Sequence, residues 1–161
     1  MLGSSERLIL FVDGSVDARS KIGYGAYLTI SDADIPQEEL KKYVKVKRFE
    51  RTSSTKLELQ TMLWALGDIQ AAARKVIVYT DSQNIVGLRG RRERLEKNDF
   101  RNSKDKRLNN YDLYQQFFKI IDLMDCDFFK VRGHLRAEQK DDIDQLFSLV
   151  DRASRKALRE R

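Results

Sequence analysis

The chain has 161 residues, 41% of them hydrophobic and 35% charged, and its 31 basic and 25 acidic side chains leave a net charge of +6. That length gives one domain, 1–161, with a sizeable core, and the basic excess points to a polyanionic partner. A single cysteine, Cys126, excludes an internal disulfide and a cysteine metal cluster; with no secretory leader and no apolar run near the roughly 20 residues of a membrane span, the expectation is a soluble, cytoplasmic monomer with no membrane association.

In chain order, Leu8-Ile9-Leu10-Phe11-Val12 reads as an apolar strand that stops at Asp13-Gly14-Ser15. Residues 13–21 then read as a turn rich in Gly, Ser and Asp. Residues 23–30 form a second strand, joined to the first by an antiparallel hairpin. Its glycines let a neighbouring backbone or ligand come close. Pro36, followed by Glu38 and Glu39, predicts a short helical turn. Val44 and Val46 alternate with Lys45 and Lys47, which predicts a half-exposed edge strand ending near Glu50.

The polar joint at 52–55 offers several N-caps to a helix whose Leu59, Met62, Leu63, Leu66 and Ile69 share one face. Glu58 is expected in its first turn, where the helix dipole tolerates a carboxylate. The run Val76-Ile77-Val78-Tyr79-Thr80 reads as a strand buried on both faces, as in a parallel sheet. It ends at Asp81, and Ser82 can cap the helix that follows. Between Arg89 and Arg107 nine basic residues stand against four acidic ones. This is nearly all of the chain's excess charge, and the stretch reads as a handle for an anionic substrate rather than a solvated face. A second amphipathic helix carries Leu113, Phe117, Ile120, Ile121 and Met124. A fifth strand, 128–132, stops at Gly133-His134, and a last helix places Ile143, Leu146, Val150, Ala153 and Ala157 inward. The order predicts an α/β fold with one five-stranded mixed sheet. The right-handed crossover makes the fourth strand parallel to the first. If the two strands are neighbours, Asp13 and Asp81 emerge side by side.

Taken singly, each acid has a plain explanation. An Asp at a strand-to-helix junction often only caps the helix, and a lone Glu on a helix is usually solvated. A lone His such as His134 is more often structural than catalytic. Together they mean more, because converging carboxylates repel one another unless protons or a cation neutralise them. All-oxygen clusters suit hard cations such as Mg2+ or Mn2+, and a pair of such ions supports phosphoryl chemistry.

Several segments resemble the type 1 ribonuclease H family. Asp13-Gly14-Ser15 with Gly23-Tyr24-Gly25-Ala26 is similar to its first hairpin, and Thr55-Lys56-Leu57-Glu58-Leu59 to its N-x-M/L-E-L helix start. Thr80-Asp81-Ser82-Gln83 resembles its T-D-S strand end, Asn110-Tyr111-Asp112-Leu113 its N-x-D-L segment, and Val131-Arg132-Gly133-His134 its V-K-G-H segment. The stretch from Val150 to Ala157 is similar to its final A-D-x-L-A-R-x-A helix. The resemblance runs in order over residues 8–158. Ser54-Thr55 stands where many members have Asn-Asn, Tyr114 replaces a usual Trp, and 31–41 reads as a small insertion.

The resemblance implies a ribonuclease-H-like sheet with helices on both faces. It also implies hydrolysis of the RNA strand of RNA–DNA hybrids with two Mg2+ ions, Mn2+ being a possible substitute, to leave 5′-phosphate and 3′-hydroxyl ends. Asp13 would bridge the ions, Glu58 and Asp81 would complete the one on the leaving-group side, and Asp151 would hold the one that activates water. His134 would assist proton traffic or product departure. Candidate substrate contacts are Gly14, Ser15, Ser54, Thr55, Gln83 and Asn110, with Arg91, Arg92 and Arg94 in the basic handle. Spacing from His134 favours Asp144 as the last ligand, whereas local context favours Asp151, which is the choice made here. Two rivals are a related nuclease acting on DNA and a hybrid-binding module with a decayed site.

Overall fold

The computed structural model describes residues 7–31, 37–71, 75–132 and 141–161. Strands β1 (Arg7–Asp17) and β2 (Ile22–Ile30) pair antiparallel, with Asp13 opposite Ala26 and Asp17 opposite Ile22. The first strand therefore runs through Asp13, where the apolar pattern alone predicts a turn. Main-chain pairing to β2 sustains the strand after its apolar side chains stop. The turn shrinks to 18–21, closed by the Lys21 N–H donating to the Asp17 carbonyl at 2.8 Å. Lys21 adopts a left-handed φ of 60° there.

Strands β3 (Lys45–Phe49), β4 (Lys75–Thr80) and β5 (Asp125–Lys130) complete a sheet of order β3-β2-β1-β4-β5. β3 lies antiparallel at one edge, and β4 runs parallel to both β1 and β5. The expected parallel neighbours are thus neighbours in fact. β5 begins three residues before its apolar run, because Lys75 reaches Asp125 and Asp127 across the ladder at 3.6 and 2.9 Å.

Helices α1 (Gln37–Leu40), α2 (Ser54–Ile69), α3 (Gln83–Lys97), α4 (Tyr111–Leu123) and α5 (Asp142–Arg159) cover the two faces, and a 3-10 turn follows α1 at Lys41–Tyr43. Strand alternation divides the interior. Leu10, Val12, Val76 and Val78 point toward α2, α3 and α4, where they meet Met62, Leu66, Leu88 and Phe117. Phe11, Ala26 and Leu28 point the other way, onto Leu40, Phe147 and Val150. Among the described residues only one long helix covers that second face, and it lies against β1 and β2. β4 sits at its margin, so Val76, Val78 and Thr80 are buried while Ile77 and Tyr79 are only partly covered. The expected burial of β4 on both faces is corrected to that extent.

Ser53 caps α2, its hydroxyl accepting from the Lys56 N–H at 3.3 Å. That choice among the possible caps places Glu58 in the second turn rather than the first. Ser82 caps α3 as expected, accepting from the Ile85 N–H at 3.1 Å.

Candidate active site

The parallel ladder between β1 and β4 ends with Phe11 opposite Tyr79. Two residues further, Asp13 is still held by β2 but has no strand on its other side. Thr80 ends β4, its carbonyl accepting from the Val131 N–H at 2.9 Å and its hydroxyl from the Ser82 N–H at 3.1 Å. Asp81 is thereby pinned between a strand end and a helix cap, beside Asp13. Glu58 enters from α2, and Asp151 from the middle of α5.

These four carboxyl groups sense one another. Burial pushes the Asp13 carboxyl up to about 9, with further upward shifts from the Asp81 charge and a hydrogen bond with Asp151; the Gly14 N–H pulls the other way. Glu58 is also raised, first by burial, against a lowering hydrogen bond from Ser82, and then by Asp81. Like charges held together in a poorly hydrated place favour protonation. Asp13, Gly14, Ser54, Glu58, Thr80 and Asp81 line a cavity of about 170 Å3. A larger hollow of about 520 Å3, between α3 and α4, contains none of the four acids.

The donor set fits a hard divalent cation: every donor is a carboxylate oxygen, and repulsion is relieved when positive charge enters. Among the described residues no three such groups already converge on one point. The fit therefore rests on chemistry and charge.

The RNase H family model matches residues 5–151. The chain belongs to the RNase H family. It is 25% identical over 157 residues to the ribonuclease H of Caldicellulosiruptor saccharolyticus, covering 96% of this chain and 98% of that protein. Against the ribonuclease H of Chlorobaculum parvum it is 26% identical, with 89% and 94% covered. In fold it resembles the PFV RNase H domain, with a TM-score of 0.72, 13% identity, and 95% and 94% of the two chains covered. It also resembles the foamy viral protease–reverse transcriptase in complex with an RNA/DNA hybrid, with a TM-score of 0.67 and 11% identity; the match covers 97% of this chain and 20% of that one. The family and its relatives make this chain a nuclease hydrolase, and family and fold support ribonuclease activity on RNA–DNA hybrids.

Within this RNase H domain the two acids of the last helix part company. Asp144 closes a capping box with Asp141, is 7% exposed, and accepts from the Arg132 guanidinium at 3.0 Å. Asp151 instead meets Asp13, and pairs along the helix with Arg155 at 3.0 Å. Asp144 is buried, and the Arg132 contact and the capping box satisfy its oxygens.

The other expected contacts divide. Ser54 lines the cavity with Gly14, while Thr55 and Gln83 are exposed at the starts of their helices. Ser15, expected at the substrate, bonds the Ser154 hydroxyl at 3.1 Å. Asn110 caps α4 with no side-chain bond to the helix. Arg91 donates to the Asn84 carbonyl at 2.9 Å, and Arg92 forks onto Asp122 at 2.6 and 2.9 Å. Both therefore serve the protein's own packing, whereas Arg94 is exposed and makes no ion pair among the described residues. His134 lies outside the described residues.

Two residues escaped the sequence reading. Thr61 is fully buried, lines the cavity, and its hydroxyl has no hydrogen-bond partner among the described residues. Ser154 is fully buried, donates to the Asp151 carbonyl at 3.1 Å and ties α5 to β1 through Ser15. Each stands three residues after an acid on the same helical face, which was the available signal.

Proposed function

We propose that this protein is an endonuclease that hydrolyses the RNA strand of RNA–DNA hybrids with divalent metal ions, leaving 5′-phosphate and 3′-hydroxyl ends. The electrostatic coupling of Asp13 to Asp81 and Asp151, and of Glu58 to Asp81, with Asp13 driven toward its protonated form, carries this reading. Mg2+, or Mn2+ in its place, would supply Lewis-acid activation of water and charge stabilisation of the departing 3′ oxygen.

The chain's own residues would do the rest. Asp13, with Asp81 and Asp151 as its charged neighbours, is the group suited to serve two ions. Glu58 and Asp81 would complete the leaving-group side, and Asp151 the water side. Ser82, bonded to Glu58, would orient that carboxylate. Gly14 keeps the cavity open beside the Leu57 side chain, which a Cβ would meet at 2.9 Å. Ser54, Thr55 and Gln83 would meet the hybrid's minor groove, where 2′-hydroxyls distinguish RNA from DNA. His134 would assist proton traffic or product release.

The test is incubation with Mg2+ and uniformly labelled hybrid, duplex RNA and duplex DNA, followed by analysis of the product ends. Cleavage confined to the RNA of the hybrid, with 5′-phosphate products, is expected. Cleavage of duplex DNA would favour a different nuclease of this fold, and binding without cleavage would make the chain a hybrid-binding module.

A further inference from the structure

Away from the acids, a second hollow of about 510 Å3 runs between β3 and α5. Its floor is apolar: Val44 and Val46 come from the β3 side, and Leu149, Ala153 and Ala157 from the helix. Val46 is 42% exposed, and the nearby Tyr43 is 59% exposed. Those are two of the four large hydrophobic side chains that stand exposed among the described residues.

The rim is basic. Lys41, Arg152, Lys156 and Arg159 line the hollow against a single acid, Glu160. Elsewhere on this helix and just past it, Arg155 and Arg161 are neutralised by Asp151 and Asp17. None of the four rim cations makes an ion pair among the described residues. Beside the hollow, β3 is the sheet's edge, and no strand among the described residues pairs with its outer side. Such an edge presents a row of backbone donors and acceptors to any extended chain.

We propose that this groove docks an extended acidic peptide of a partner protein. The peptide adds to the outer edge of β3, lays apolar side chains against Val46 and Leu149, and directs carboxylates to the rim cations. Strand addition supplies affinity through main-chain bonds, and pockets for alternate side chains supply selectivity. The cations oppose two other occupants. A second copy of this chain would bring an equally basic groove against them. A nucleic acid would match the charge, but its phosphates call for polar donors where this floor offers aliphatic carbon.

The experiment is fluorescence anisotropy of the full chain with a labelled short peptide in which acidic and large apolar residues alternate. A peptide with lysine at each acidic position serves as control. Saturable binding of the acidic peptide alone is expected. The Lys41→Glu/Lys156→Glu double variant should weaken it by about tenfold, the scale of two rim charge reversals. Val46→Asp should weaken it similarly by charging the apolar floor. All three substitutions lie away from the four acids, so circular dichroism and hybrid cleavage check the fold. Absence of saturable binding, or affinity unchanged in both variants, overturns the proposal. So does displacement of the peptide by single-stranded oligonucleotide whose own binding the double variant abolishes, since the groove would then hold nucleic acid. Concentration-dependent dimerisation lost in Val46→Asp would assign the groove to a second copy and also overturn it.

Discussion

Asp13 experiences the strongest electrostatic stress in the site. Its carboxyl is raised to about 9 by burial, then by Asp81 and Asp151, so its ionised form disfavours the fold. The sign follows from linkage. A carboxyl raised above its ordinary value of 3.8 contributes stability that is fully present below that value, and loses it as pH rises toward 9. Asp13→Asn keeps the shape and discards the charge. In EDTA the variant should melt higher than the parent by at least about 3 °C, the shift that 1 kcal/mol makes in a domain of this size. That gain should grow from pH 5 to pH 9, and Mg2+ should reduce it by stabilising the parent alone. Hybrid cleavage should be abolished while hybrid binding persists. A variant that cleaves at the parental rate would remove Asp13 from the machinery. One that melts lower at every pH would show that the buried charge is not the cost inferred here.

Two elements, β2 and α2, meet where Gly25 faces Thr61. A Cβ on Gly25 would stand 2.2 Å from the Thr61 hydroxyl and 2.6 Å from its methyl. Gly25→Ala should therefore cost about 1–3 kcal/mol in urea unfolding, as overpacking does. Adding Thr61→Ala removes the obstructing atoms, so the double variant should recover most of that loss; a purely additive pair would mean that the clash is not the cause. The glycines at 23 and 25 were legible in sequence as points of close approach, but the partners, Thr52, Leu57 and Thr61, were not, because only the fold brings them there. The parallel placement of β4 was legible for a related reason, since crossover handedness suffices, whereas the full strand order was not read from the sequence. Element ends were less so. β1 outlasts its apolar residues because backbone pairing holds it, and Glu58 moved a turn because any of several hydroxyls could have capped α2.

The same element scale separates the two acids of α5. They lie seven residues apart, roughly 10 Å along the axis, and sequence spacing alone could not rank them. The capping box and Arg132 occupy Asp144, whereas Asp151 bonds Asp13. Asp151→Asn should lower the Mg2+-dependent rate by about 10²-fold or more, as loss of a metal-supporting charge worth several kcal/mol would. Asp144→Asn should leave the rate nearly intact and lower stability by about 1 kcal/mol, the scale of a cap or a single hydrogen bond. Single-turnover kinetics beside thermal melts checks both. The opposite ranking would move the functional acid to the start of the helix.

Over the whole molecule the charge is unevenly spread, and residues 89–107 hold most of the excess. Composition suggested one continuous handle, but the structure divides it. Arg89 donates to the Cys126 carbonyl at 2.8 Å and Arg92 clamps Asp122, so their charges are spent on joining α3 to β5 and α4. Arg101 and Arg107 share Asp99. What remains projecting is Arg94, Lys97, Lys104 and Lys106, all exposed and outside the ion pairs that tie down their neighbours. If the handle grips the hybrid's phosphates, these four carry it. Each phosphate neutralised releases counterions and steepens the log–log salt dependence of binding by about 0.9 on a B-form duplex. Replacing the four with Gln should therefore flatten that slope by about 1–4 and weaken binding most at low salt, with turnover at saturating hybrid unchanged. Arg92→Gln should instead lower the melting temperature and leave the slope alone, because that guanidinium is already paired. The slopes, read from hybrid titrations across a series of KCl concentrations, separate a handle from a solvated face. An unchanged slope in the quadruple variant would leave the segment as a solvated face, and a flattened slope in Arg92→Gln would mean that the Asp122 pair opens to substrate.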